Sequence, residues 1–568
     1  MGLSITKGTL GKTILGLGLI TSMVLPFNHA SAPVSAAPAA AAYPPLVVSD
    51  QQTGTWIRNF NIFMPQSVLD PTKAGIYEPL WLTPVGNPSK AYPWLATSYS
   101  WSKDLKTLTW TIRQGVKWSD GQPLTADDVY YTIMLGKTCA VCDQGGFWGA
   151  SGLASSVTES GNTVSITFKS VNTANFGSLW DAVYIVPKHI WSKVTNPSSW
   201  TNPNPVGSGP FTQVTNFSSE SYDINANPYY WQPLAVKTIR YIDHTGNDAT
   251  LLDFKAGKID WGGHFFPDIQ DTLLKVGPQF QMAYSYASTP AMLYVNDQQY
   301  PFSLPALRQA ISMSIDREAL ANSAEYGYTI PSSGTGLDAL YPNWVDHSLD
   351  AQSKQLTTYS AANAKALLLK SGFKYSGTSL MDPKGKPVST DCTTVIGWTD
   401  WDAACTIMAQ NLTDIGIDAG THFVSFGTYT QLLNNGNFTT AVSWVDKGST
   451  PYTMYYDMMD SANYFPINTQ VAFARNLERY KNPAVDPLFT QFSTTADLPT
   501  QQAAMDKIEQ IFLNDMPVIP LWYANIWGEF STANYTGFPT LKNFYASSQT
   551  ADTPDRLLVF TKVKPSHS

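Results

Sequence analysis

Leu108, Trp110 and Ile112 alternate with Thr109 and Thr111, which places apolar groups on one face of a predicted strand. Asp120-Gly121 then marks a turn, and Thr125-Ala-Asp-Asp128 opens a helix. Thr125 can cap that helix, with Asp127 and Asp128 at its positive end. Val164, Ile166 and Phe168 return to a period of two and predict a second strand. Helical spacing dominates further on. Leu307, Ala310, Ile311 and Ile315 share one face, with Pro305 near the start, where its missing N–H is harmless. Ala361 to Lys370 reads as a helix stopped by Ser371-Gly372. Ile407, Met408, Leu412 and Ile415 form another apolar face ended by Gly416, and Ala504, Ile508, Ile511 and Phe512 a fourth. Phe438, Thr440 and Val442 alternate as a strand, with Ser443-Trp444-Val445-Asp446 at its end. Strands and helices intermix along the whole chain, with no internal repeat, so the fold class is α/β.

A chain of 568 residues exceeds what one core supports, so at least two lobes are expected. The net charge of −8 and the lack of a basic patch exclude nucleic acid as a partner. Charged residues make up only 14%, leaving a surface of Ser, Thr, Asn, Gln and Tyr that suits an exported protein. Lys7 and Lys12, the apolar run Thr13 to Phe27 and Ala30-Ser31-Ala32 compose an export signal over 1–32. Its removal subtracts the two lysines and takes the charge from −8 to −10. Residues 33–45 form a Pro/Ala tether expected to be disordered. The expected location is the periplasm or the extracellular face of the cell membrane. None of the four cysteines lies near the signal, so lipid attachment is not expected. Cys139-Ala-Val-Cys142 lacks a second such pair and a nearby His, so two disulfides are expected instead of zinc. Three pairings are open, of which Cys139–Cys142 with Cys392–Cys405 is the one expected.

One block carries a specific resemblance. Leu95-Ala-Thr-Ser-Tyr-Ser, then Thr107 through Arg113-Gln-Gly-Val-Lys-Trp118, then Ser119-Asp-Gly and Ala126-Asp-Asp-Val129 together resemble the family-5 extracellular solute-binding proteins of ABC importers. Further matches follow in the family's order. They are Val206-Gly-Ser-Gly-Pro-Phe211, Asn227-Pro-Tyr-Tyr-Trp231, Phe254-Lys-Ala-Gly-Lys-Ile-Asp260, Arg308-Gln-Ala310, Ser314-Ile-Asp-Arg-Glu318 and Leu412-Thr-Asp-Ile-Gly-Ile417. The resemblance implies a two-lobed periplasmic-binding-protein fold (type II, cluster C) with an inserted domain. Lobe I would comprise 46–81, 206–285 and 521–568, the inserted domain 82–205, and the other lobe 286–520. It also implies capture of a small-molecule ligand, peptide by preference, by hinge closure and delivery to ABC permease subunits. The protein is expected to be a monomer without a cofactor.

A zwitterionic peptide enclosed between lobes needs a carboxylate for its ammonium and backbone partners for its amides. By resemblance, Asp446 would hold the ammonium and Trp444 would wall the pocket, with Ser443 where the family has glycine. Trp398, after Gly397, is placed on a second loop facing the cleft. Gly263 and His264 follow a strand where lobe I would face the cleft, and Tyr294 and Asn296 are candidates near the hinge. No Lys or Arg lies between Asn437 and Val445, so a ligand carboxylate must be held elsewhere or not at all. Eighteen Trp keep an oligosaccharide ligand open, since sugar faces stack on aromatic rings. No His cluster with nickel-ligand spacing is present. A secreted hydrolase is the rival from another class, but neither His-Glu-x-x-His nor Gly-x-Ser-x-Gly occurs, and no enzymatic activity is expected.

Overall fold

The computed structural model describes residues 43–49, 55–64, 70–85, 90–148, 152–173, 183–283, 289–448, 450–471 and 475–567. The expected export signal and most of the tether lie outside them. The alternation at Leu108 produces strand Thr107–Ile112, whose residues are buried at every second position. It sits in an antiparallel four-stranded sheet with Ala96–Trp101, Thr163–Phe168 and Ala154–Ser160. Helix Ala126–Leu135 follows the Asp120-Gly121 turn. The Asp128 carboxylate accepts from the backbone of Thr125 (2.9 Å) and of Lys188 (2.9 Å). Asp128 thus ties this turn and helix together.

A second four-stranded sheet runs Leu46–Ser49, Thr238–Ile242, Ser221–Ala226, Phe211–Thr215, with the first pair parallel. A six-stranded sheet runs Ile330–Pro331, Val518–Tyr523, Pro290–Val295, Thr440–Trp444, Ser389–Val395, Asp418–Val424. Helices Pro305–Ser314, Ala361–Lys370, Thr399–Asp414 and Leu498–Asp515 realise the four helical faces. Ile315 and Ile415 lie one residue beyond their helices yet stay fully buried. Phe438 precedes its strand instead of belonging to it.

Apolar burial gathers chiefly into two cores. One draws on residues between Leu46 and Tyr241 with Trp261 and Phe530 to Val563. The other lies wholly between Ala291 and Trp522. The chain therefore crosses between two bodies twice, which is the two-lobed α/β fold. Among the described residues no helix is long and apolar enough to cross a membrane.

Both expected disulfides are present, Cys139–Cys142 and Cys392–Cys405. The second fastens strand Ser389–Val395 to helix Thr399–Asp414 across 13 residues of sequence. Selective loss of this bond, by Cys392→Ala with Cys405→Ala, is expected to lower unfolding free energy by about 3 kcal/mol on the chain-entropy account. Chemical denaturation in non-reducing buffer checks it, and a change below about 1 kcal/mol would contradict it.

Several buried carboxyls have no ion pair within 4.0 Å among the described residues. Glu78 is fully buried and accepts from Trp94 Nε1 (2.6 Å) and the Tyr230 hydroxyl (3.1 Å). Burial outweighs those bonds and pushes its carboxyl up to about 7. Burial likewise raises Glu509 and Glu529 to about 8. Their folded values exceed the unfolded ones, so the stabilisation is complete below about pH 4 and is lost as pH rises through 7 to 8. The thermal midpoint is therefore expected to be higher at pH 5 than at pH 8, and Glu78→Gln to reduce the difference. A midpoint that rises from pH 5 to pH 8 would contradict this.

Candidate functional site

Strands Ser389–Val395 and Thr440–Trp444 are parallel, with Cys392 opposite Thr440. Their carboxyl ends therefore emerge at one edge of the six-stranded sheet, and Trp398 and Trp444 emerge with them. Ala291 lies opposite Trp444 and Pro290 opposite Tyr523, so both crossings between the lobes leave from that same edge. In the other lobe, Ser49 lies opposite Ile242 at the carboxyl ends of two parallel strands. The loop beyond Ile242 reaches across: Asn247 N donates to Gly397 O (3.0 Å) and Asn247 Nδ2 to Thr399 Oγ1 (3.1 Å). Gly397 has φ of +86°, and a Cβ there would stand 2.9 Å from Thr245 O. Each lobe thus presents the carboxyl ends of parallel strands to the other, the place where open α/β sheets take ligands.

Asp446 stands two residues past the central strand, on a segment fixed at both sides. The Tyr294 hydroxyl donates to Trp444 O (3.0 Å), and the Tyr341 hydroxyl donates to Gly448 O (2.8 Å). Both tyrosines are buried, so the segment is held before any ligand arrives. Asp446 itself is open to water, yet protein surrounds it closely enough for desolvation to raise its carboxyl above the ordinary range. A group at the bottom of a cleft has both properties. Arg475 and Lys73 pull in the opposite direction. Arg475 Nε lies 3.5 Å from the buried Asp457 carboxylate. Among the described residues, Asp446 has no hydrogen bond and no ion pair within 4.0 Å.

Trp444 is half-buried and packs 6.2 Å from Trp398, also half-buried, and 5.9 Å from Trp401. The two sequence-predicted tryptophans therefore form one aromatic wall beside Asp446. Of the other candidates, Tyr294 holds the Trp444 backbone, and Ser443, Asn296, His264 and Gly263 are engaged within the fold. Ser443 is fully buried, with its backbone paired to Met292. Asn296 is fully buried and donates to Gly436 O (2.8 Å) and Phe438 O (3.0 Å), holding the turn before the strand. His264 is buried, with Nε2 3.0 Å from Ser49 Oγ and its backbone N donating to Glu529 (2.8 Å). Ser49 Oγ lies 2.9 Å from His244 Nδ1, so these histidines knit lobe I internally. A Cβ on Gly263 would stand 2.9 Å from Gln549 Cγ, a packing demand of its own.

Sequence reasoning missed Lys73, Arg475, Asp457 and Trp401, and also Lys447, which faces Asp552 and Asp555. Arg475 and Trp401 come near Asp446 and Trp444 only through the tertiary fold. Among the described residues no cluster of His, Cys, Asp and Glu could hold a metal ion.

The sequence model of the bacterial extracellular solute-binding proteins, family 5 (middle region), matches residues 90–466. The periplasmic oligopeptide-binding protein OppA of Salmonella typhimurium is 24% identical over 587 residues, covering 94% of this chain and 98% of its own. Among solved structures, a mannohexaose-bound oligopeptide ABC transporter binding protein of Thermotoga maritima superposes with a TM-score of 0.84 at 24% identity, covering 92% of this chain and 98% of its own. The oligopeptide-binding protein AppA of Bacillus subtilis, bound to a nonapeptide, gives 0.76 at 20% identity, covering 92% and 99%.

Proposed function

The chain belongs to the family-5 bacterial extracellular solute-binding proteins, and from that premise we propose that it captures peptides between its lobes and delivers them to an ABC permease. The observation that carries the peptide reading is Asp446: a carboxylate without a direct partner among the described residues, beside an aromatic wall, at the edge where the chain crosses between lobes. A peptide ammonium would supply its missing partner, and strand ends nearby offer backbone groups to peptide amides. Trp444 and Trp398 would wall a side-chain pocket, and Tyr294 would act by holding the Trp444 backbone. We assign lobe I to 46–81, 206–285 and 521–568, the inserted domain to 82–205 and the second lobe to 286–520. Moving the population from 1:99 open to 99:1 closed requires about 5.5 kcal/mol of preference for the closed form.

Calorimetric titration with Ala-Ala-Ala and with its N-acetylated form tests the reading. Binding of the free amine only is expected. Its affinity should fall as pH drops through the raised value of Asp446, because an ammonium binds the carboxylate and not the acid. Equal affinity for the two forms would sink the ammonium assignment. A second reading, an oligosaccharide ligand, draws on the Trp398–Trp444 wall and on the mannohexaose-bound neighbour. It predicts binding of manno-oligosaccharides that is indifferent to Asp446→Asn.

A further inference from the structure

The contact between Asn247 and the Gly397 loop is a helix cap supplied from the other lobe. Helix Asn247–Lys255 begins after Gly246, which has no side chain to accept from the first turn. Gly397 O instead accepts from Asn247 N (3.0 Å), the first N–H of the helix, and Thr399 Oγ1 accepts from Asn247 Nδ2 (3.1 Å). Two glycines make the approach possible. A Cβ on Gly246 would stand 3.1 Å from Gly397 O and 3.2 Å from Gly397 Cα. Both sides of the contact are held firmly. On lobe I, His244 Nδ1 lies 2.9 Å from Ser49 Oγ and His244 Nε2 3.2 Å from the Asp253 carboxylate, which ties loop, strand and helix into one unit. Phe254 anchors the helix in a small core with Phe266, Ile269 and Leu273. On the other lobe, Gly397 N donates to the Asp402 carboxylate (3.0 Å) and Trp398 N to Val395 O (3.2 Å).

Position gives this contact its leverage. Strand Ser389–Val395, which leads to Gly397, stands two places from Pro290–Val295, the strand at the nearer crossing between the lobes. That is about 10 Å across the sheet, so rotation about the crossings parts Asn247 from Gly397. Trp398, half of the aromatic wall, sits between the two acceptors Gly397 and Thr399. We propose that Asn247 is a closure latch, bonded to Gly397 and Thr399 only when the lobes are closed. Opening uncaps the helix, so the latch favours the closed conformer with or without a ligand. It acts on the open–closed equilibrium and touches no ligand, so it scales the affinity for every ligand by one factor. The proposal therefore does not rest on the peptide reading.

Double electron–electron resonance on the intact chain without ligand tests this, with spin labels at Leu252→Cys and Asp414→Cys. Both positions are exposed, one on each lobe. The four native cysteines are held in disulfides, so the labels react only where they are placed. Wild type is expected to show two separations, and Asn247→Pro to lower the ratio of short to long by roughly tenfold. Proline suits the first position of a helix and lacks the N–H that Gly397 receives, so this variant removes both bonds and keeps the helix. Asn247→Ala retains the N–H, loses the amide group and should shift the ratio the same way by a smaller factor. Melting followed by circular dichroism is expected to show both variants folded. A single separation in wild type, or a ratio that neither variant lowers, would overturn the latch. Either result leaves the peptide reading standing, since the titrations with Ala-Ala-Ala decide that separately.

Discussion

Asp446→Asn is expected to weaken binding of peptides with a free amino terminus by about 2–5 kcal/mol, roughly 30-fold to several thousand-fold. The magnitude follows from the site. Among the described residues the carboxylate has no direct partner, its segment is fixed by Tyr294 and Tyr341, and closure removes the water that would otherwise screen the pair. The amide keeps the shape and loses the charge. Its effect should vanish for an N-acetylated peptide, because that ligand brings no ammonium to lose. The variant is expected to fold normally, since the exposed carboxylate makes no bond to any described residue. Calorimetric titration of both peptides against both proteins measures the coupling. An Asn variant that binds the free amine as tightly as wild type would remove Asp446 from the site.

Arg308→Ala is expected to lower stability by about 3–5 kcal/mol. Arg308 is 3% exposed and sits 3.1 Å from the Asp297 carboxylate, itself buried. Its guanidinium also donates to Phe302 O (2.7 Å), Asp515 O (2.6 Å) and Met516 O (2.9 Å). These bonds join helix Pro305–Ser314 to the end of helix Leu498–Asp515. Truncation leaves three carbonyls without this donor and Asp297 without its cation, so the Asp297 carboxyl, already raised by burial, should take up a proton. Denaturant titration followed by far-ultraviolet circular dichroism measures the loss. A decrease below about 1 kcal/mol would mean that water or a neighbour replaces the guanidinium.

Arg308 also marks what the sequence makes legible. It falls in a matched motif and is used for structure, as is Asp128, which closes its own turn through Thr125. Motifs of this kind act over a few residues or within one lobe, so pattern and spacing reveal them. The disulfides were legible for the same reason, since each closes a short loop. Trp444 was legible at the end of its strand and Trp398, by resemblance, on a loop after Gly397, although their mutual packing was not. Tyr294 and Asn296 show the limit. Strand Pro290–Val295 is buried along its whole length, between neighbours on both sides, so no alternation separates its cleft end from its interior. Both residues hydrogen-bond backbone of the segments next to it, a use that their position near the hinge does not announce.

Capture of peptide between the lobes is tested most directly by native mass spectrometry of the chain lacking residues 1–32, purified from its expression host without refolding. The predicted spectrum contains the protein with a ladder of adducts whose masses match short peptides, and Asp446→Asn abolishes or thins the ladder. A series of adducts spaced by hexose units, unchanged in Asp446→Asn, would contradict the peptide account and move the ligand to oligosaccharides.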